Sequence, residues 1–519
     1  MICFSMHIFT AFRVNKGPFK MKTPNNVGHL FSFLITLLVL QSCHKKDMSP
    51  VEPDPNDPTI TISSFEIETE NNKNILSDIV FEVKNDTIYG KLSKYNHTAI
   101  PSFLSNAAKV TVNNTEQASA ITEVDFKNPV TYSLVGENGK KHNYYVKISW
   151  NDSLPHIIIN TEGNAPVVSK DDYINATVTI DGRNLFNSYS GTSRIKGRGN
   201  STWWDYPKKP YRLKLDETAS LFGLPEEKDW VLLANYLDGT HLLNSIAFNI
   251  GNMLGMPYTN DAIPVELTLN GTYQGMYLFT AQVEAGENRV NVGDDGLLLE
   301  FDIGYDEAYK FKSANYQLPV NIKNPELDDT SQIIPIENQF NVLDSLVYAP
   351  GFPNNNYLDY IDQESIVKYL VTYMLTDNEE INYPKSTYMH KTVTGKFMMG
   401  PVWDFDWAYG YERTQIYFSY YDGFFWNNDA RIGTNFFSRF LSDPKITSLL
   451  KQEWTAFVQA NASNLQSFID EWAYRLEGAR KRDYGLWQRG NVNYATDISA
   501  LKTWLTNRIS YLTTYINSL

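Results

Sequence analysis

The chain has 519 residues, of which 42% are apolar and only 20% charged, so it can bury a sizeable core and global disorder is excluded. Beyond residue 42, 41 basic residues face 59 acidic ones, and a surface at −18 repels phosphodiester backbones, which argues against nucleic acid as a partner. The two cysteines, Cys3 and Cys43, both precede the main body, which rules out a disulfide framework, a zinc ribbon or a cysteine nucleophile there.

The N-terminus reads as an address. Lys22 precedes the apolar run Phe31–Leu40, which is too short to span a bilayer but fits the core of a secretory signal. Gln41-Ser42-Cys43 follows at once, and this Leu-x-Ser-Cys ending resembles the lipobox of bacterial lipoproteins, in which the cysteine becomes the acylated first residue. The expectation is a membrane anchor through lipid on Cys43, with a location in the cell envelope, at the outer membrane or cell surface of a Gram-negative bacterium. His44-Lys-Lys-Asp47 loosely resembles the charged tags of surface-exported lipoproteins. The alternative is a buried helix that opens the fold. Met21 reads as the natural start, with residues 1–20 an upstream extension. The stretch 43–58 is rich in proline and predicts a stiff, extended tether.

Residues 59–150 alternate apolar and polar in short runs such as Thr59–Glu68, Asp78–Val83, Lys109–Val112, Thr131–Val135 and Tyr144–Trp150. This predicts a small β-sandwich that resembles immunoglobulin-like modules, and it carries no catalytic constellation. Residues 155–302 are also mostly strands, with a helical pattern at Leu242–Leu254 and a hairpin turn at Asn270-Gly271. From about 335 the pattern is helical. Ile366, Tyr369, Leu370, Tyr373 and Met374 share one face, and later helices are predicted at Lys445–Val458, Leu465–Arg482 and Ala500–Ile516. The predicted class is α+β, with a β-rich part (155–302), a helical part (303–519) and a cleft between them.

Three motifs carry chemistry. The first places Lys196, Arg198, Lys208, Lys209, Arg212 and Lys214 within 19 residues, around the turn Gly197-Arg198-Gly199. Arg212 and Lys214 share one strand face, and a cationic face beside a Gly-rich turn suits phosphate oxygens; a solvated basic hairpin is the alternative. In the second, Gly400–Gly410, extended geometry puts Asp404 and Asp406 on one face and Trp403, Phe405 and Trp407 on the other. Two converging carboxylates would hold Mg²⁺ or Mn²⁺ with phosphates completing the shell, unless they form a turn or capping pair. The third, Thr376–Ser386, follows the best-patterned helix and gathers Asp377, Asn378, Glu379, Glu380 and Lys385 where a catalytic loop would sit. The alternative there is a polar exit from the helix.

Together these residues resemble the CotH (spore-coat protein H) kinase family, from about Arg194 to Gly410 with helices beyond. The specific parts are Lys196-Gly-Arg-Gly-Asn-Ser-Thr-Trp203, Pro207-Lys-Lys-Pro-Tyr-Arg-Leu-Lys-Leu215, Trp230-Val-Leu-Leu-Ala-Asn-Tyr236, Leu269-Asn-Gly-Thr-Tyr-Gln-Gly-Met-Tyr277 and Trp403-Asp-Phe-Asp406. The resemblance implies an atypical protein-kinase-like two-lobe fold that binds ATP and Mg²⁺ and phosphorylates secreted proteins. By position, Asp404 matches the metal-binding acid, with Asp406 beside it, and Glu380 falls on the catalytic-loop aspartate. The chain departs from the pattern at Glu380, a Glu for Asp, and at Ala281, where an acid is expected. Arg198, Lys209 and Lys214 are the expected phosphate ligands.

Two functions follow from these readings. One is an extracytoplasmic kinase acting on a protein or other hydroxyl acceptor. The other is a weakly active or inactive surface lipoprotein that binds glycan or protein, supported by the aromatic runs Tyr417–Tyr421 and Phe424–Trp426. A glycosyltransferase using Asp404 and Asp406 is a weaker third, since no nucleotide-binding βαβ pattern precedes them.

Overall fold

The computed structural model describes residues 59–423 and 431–519. The leader, Cys43, the tether and Phe424–Trp426 lie outside these residues. The protein is mixed α+β, with sheets dominating the N-terminal region and helices the C-terminal part. Among the described residues no helix is long and apolar enough to cross a membrane.

The first strands form one eight-stranded sheet. Its middle is Ile62–Ile67, Ile79–Lys84, Thr87–Ser93 and Lys141–Asn151, and the last two pair in parallel. Alternation along these strands and the neighbouring Val130–Val135 points Phe65, Phe81, Ile88, Tyr132 and Leu134 into a core of their own.

Seven strands then close into a barrel: His156–Thr161, Ile174–Asp181, Tyr189–Gly197, Tyr211–Ala219, Glu227–Leu233, Ala262–Leu269 and Thr272–Ala281. Closure comes from parallel pairing of His156–Ile159 with Glu266–Leu269. The hairpin turn forms as its sequence predicts, with Asn270 and Gly271 both left-handed at φ 49° and 74°. Period-two alternation fills the barrel with Ile195, Leu213, Leu215, Trp230, Leu267 and Phe279. Lys196 and Arg212, directly opposite each other across a strand pair, are therefore left on the outer wall.

A third sheet orders Lys310–Lys312, Pro319–Asn324, Leu297–Phe301, Thr387–Lys391 and Met398–Met399. Leu297–Phe301 is buried along its whole length and belongs to one apolar core with the helices Leu243–Met253, Gln363–Thr376, Pro444–Trp487 and Tyr494–Ser518. The predicted division at 302/303 is thus corrected: it would cut a central strand from its sheet. The purely helical expectation beyond 335 also misses Thr387–Lys391 and Met398–Met399.

The two helices expected at Lys445–Val458 and Leu465–Arg482 are a single 44-residue helix, Pro444–Trp487. Gln459–Asn464 between them contains neither Gly nor Pro, so nothing interrupts the hydrogen-bond ladder. Asp443 caps the start, accepting from Lys445 N. This helix meets several parts of the molecule in turn. Trp454 Nε1 donates to Thr513 Oγ1 of the last helix at 3.0 Å. Glu471 and Glu477 meet the first sheet's loops through His97 (2.8 Å) and Lys94 (2.6 Å). Arg482 pairs with Glu266 of the barrel at 2.8 Å, and Asp483 with Lys208 at 2.6 Å.

Candidate active site

The barrel's outer wall faces the loops of the helical part across a cavity of about 300 Å³. Lys196, Arg198 and Arg212 line it on the barrel side, and Asp302, Glu380, Lys385, Ser386, Asp404 and Asp406 on the other. Gly199 shapes the turn beneath Arg198: its φ of +79° is left-handed, and a Cβ there would meet Thr202 Oγ1 at 2.5 Å.

Asp404 is itself left-handed, at φ 63°. This breaks the extended geometry that would segregate acids from aromatics. Asp404 and Asp406 do share the cavity, but Trp403 and Trp407 line it with them, and only Phe405 turns fully into the core. The predicted two-faced strand is corrected to an irregular turn.

Asn244, from the helix Leu243–Met253, fixes that turn. Its Oδ1 accepts from Phe405 N at 2.9 Å and its Nδ2 donates to Asp406 Oδ1 at 2.7 Å. Asn378 holds the same turn from the other side, donating to the Asp404 carbonyl at 2.9 Å. Ser386 Oγ reaches Asp404 Oδ2 at 3.4 Å.

The carboxylates crowd one another. Burial, and then the neighbouring Asp404 charge, push the Asp406 carboxyl up to about 7. Burial and the same Asp404 charge hold Glu380 well above the usual carboxylate range. Lys385 answers this, its Nζ 3.2 Å from Glu380 Oε1; against burial, Glu380 and Asp404 raise its pKa. Burial lowers Arg198, opposed chiefly by Asp404, and its guanidinium lies over the Trp403 ring at 5.7 Å.

Arg198, Glu380, Asp404 and Asp406, separated by up to 208 residues in sequence, therefore meet around one cavity. Lys209 and Lys214 do not line it. Lys209 Nζ donates to the Trp203 carbonyl, and Lys214 pairs with Asp229 at 3.2 Å, farther along the strand than Arg212. Lys208 is wholly buried against Asp483. Asp377 and Glu379 are likewise engaged elsewhere, with Arg508 and Arg413. Within the aromatic run, Tyr417 packs tilted against Tyr411, at 4.5 Å between centroids, and its hydroxyl donates to the Asp406 carbonyl, while Tyr421 is exposed.

Sequence reasoning missed the lining residues Asp302 and Asn244, and it set Lys214 rather than its strand neighbour Arg212 among the expected phosphate ligands. Asp302 directly follows a strand buried along its whole length, and a charged residue in that position is a usable signal. Asn244 offers none, since a polar residue near a helix start reads as a cap.

Among the described residues, no group of three or more His, Cys, Asp or Glu side chains has metal-holding geometry. The available donor set is the Asp404–Asp406 pair, which fits a hard cation that takes one or two carboxylates and completes its shell with phosphate oxygens.

The cleft of this α+β protein sets crowded carboxylates against the half-buried Arg198 guanidinium and the Lys385 ammonium group. The chain belongs to the CotH kinase protein family, whose model matches residues 194–512. A comparison with curated proteins gave no match.

Proposed function

We propose that the protein is an extracytoplasmic atypical kinase that moves a phosphoryl group from ATP, with Mg²⁺ or Mn²⁺, to a hydroxyl of a protein or other acceptor. The observation that carries this reading is the meeting of Asp404, Asp406 and Glu380 with Arg198 and Lys385 around one cavity. On this reading the barrel and the helical part act as the two lobes of a kinase-like fold, with the nucleotide between them.

Arg198 binds phosphate oxygens, with Arg212 and Lys196 on the wall behind it. Asp404 and Asp406 hold the divalent cation. When bound, that cation neutralises charge on the phosphate oxygens. Glu380 takes the acceptor's proton as its oxygen bonds to phosphorus and ADP leaves. Burial raises the Glu380 carboxyl and so makes its ionised form the stronger base, and Lys385 beside it opposes that shift.

The lipobox-like ending at Cys43 supports a lipid anchor and a place in the cell envelope. The first sheet would then be an immunoglobulin-like module between anchor and kinase. Calorimetry of the purified protein with ATP and Mg²⁺, followed by label transfer from ATP, tests the reading. Binding and transfer are expected, and Asp404→Ala should abolish transfer. A protein that neither binds Mg·ATP nor transfers label would overturn it.

A further inference from the structure

The loop that carries Glu380 does little to hold itself. Within it, Glu380 N donates to Asn378 Oδ1 at 3.1 Å, and Lys385 reaches Glu380 Oε1. Asn378 ties its start to the Asp404 carbonyl, Thr434 donates to Asn382 Oδ1 at 2.7 Å, and Ser386 ties its end to Asp302 and Asp404. The side chains flanking Glu380 are held by the residues that follow Asp406. Glu379, 5% exposed, pairs with Arg413. The Tyr383 hydroxyl donates to Glu412 Oε1 at 2.9 Å.

Asp377 is tied to the same stretch through Arg508, whose side chain has no solvent exposure. The Arg508 guanidinium donates to Asp377 Oδ1 at 2.7 Å and the Met374 carbonyl at 2.8 Å. It also donates to the carbonyls of Tyr421 (2.8 Å) and Gly423. Two further bonds hold the stretch in place. Arg413 Nη1 donates to Tyr420 Oη at 2.9 Å, and Trp504 Nε1 donates to the Tyr420 carbonyl at 2.6 Å.

We propose that residues 411–423 are a positioning element for Glu380, with Arg413 as its key positioning residue. The proposal rests on the kinase reading, in which Glu380 faces the acceptor. Arg508 is a buried, permanent hub. The Arg413–Glu379 and Glu412–Tyr383 contacts differ, because Arg413 keeps a quarter of its side chain in solvent and Thr414, Gln415 and Ile416 beside it are exposed. A change at that surface can therefore release the loop at two points without unfolding the core. Glu380 would then be held to Asp404 mainly through Asn378 and free to shift, while Asn244 keeps the Asp404–Asp406 turn in place.

The test uses the whole protein as wild type, Arg413→Met, Arg413→Lys and Tyr383→Phe. Hydrogen exchange over residues 379–386 is read alongside the kcat and KM of transfer. Arg413→Met should speed exchange in that loop by about tenfold or more, and Tyr383→Phe by a smaller factor. It should lower kcat by about tenfold or more while KM for Mg·ATP stays within about twofold, because a misplaced group costs rate rather than nucleotide binding. Arg413→Lys should restore most of both. Unchanged exchange in Arg413→Met and Tyr383→Phe would overturn the inference, and so would a loss carried by KM alone. If wild type transfers no phosphate, the kinase reading fails, and the exchange data still decide whether residues 411–423 hold the loop.

Discussion

Replacing Asp406 by Asn should make the cation-free protein more stable above neutral pH. Burial and Asp404 raise this carboxyl from 3.8 to about 7 in the folded protein. Between those values the folded chain keeps a proton that the unfolded chain has lost, so stability falls as pH rises across that window. At 1.36 kcal/mol per pH unit the cost reaches about 4 kcal/mol by pH 7 and levels off above it. Asn keeps the shape and still accepts from Asn244 Nδ2, but it carries no charge. In EDTA, thermal melts of variant and wild type should nearly coincide at pH 4. They should diverge through pH 7, the variant melting higher by a few degrees at pH 8. Adding Mg²⁺ should raise the wild type far more than the variant and narrow the gap. Equal melts at pH 8 in EDTA, or a wild type that gains on the variant as pH rises, would refute the argument that these carboxylates are held together at a cost.

Arg198→Ala should weaken Mg·ATP binding about tenfold or more in calorimetry, since charge-assisted bonds to phosphate are worth about 1.5–3 kcal/mol, whereas Lys214→Ala should stay within about threefold. The opposite order would return the phosphate role to Lys214. Asp483→Ala should cost about 3–5 kcal/mol in denaturant unfolding, because it strands the fully buried Lys208 ammonium; a loss under 1 kcal/mol would mean that Lys208 finds water.

Much of the site was legible because its chemistry is local. Asp404-Phe-Asp406 and Gly197-Arg198-Gly199 sit in short motifs, the family resemblance singles out Glu380, and all three line one cavity. The basic cluster misled in detail. Six cations in 19 residues look alike in sequence, but strand alternation sends Lys196 and Arg212 to the cavity, the turn adds Arg198, and Lys208 and Lys214 pair instead with Asp483 and Asp229. The seven-stranded barrel itself could not be read, since its closing pair, His156–Ile159 with Glu266–Leu269, joins strands about 110 residues apart. Thr87–Ser93 was missed because Gly90 interrupts its apolar rhythm, yet it lies between two other strands of the first sheet. A Cβ at Gly90 would fall 2.0 Å from the Phe81 ring, so the glycine is there to admit that ring.

The 44-residue helix is about 66 Å long and works as a ruler. Glu471 and Glu477 engage the first sheet's loops, and Arg482 and Asp483 engage the barrel. Inserting or deleting one residue between 477 and 482 would shift the later pair by about 1.5 Å and turn it by about 100° relative to the earlier one. Both sets of partners could not then be met together. Related chains should therefore tolerate substitutions along this stretch far more readily than changes in its length, and length variation should gather in the loops instead.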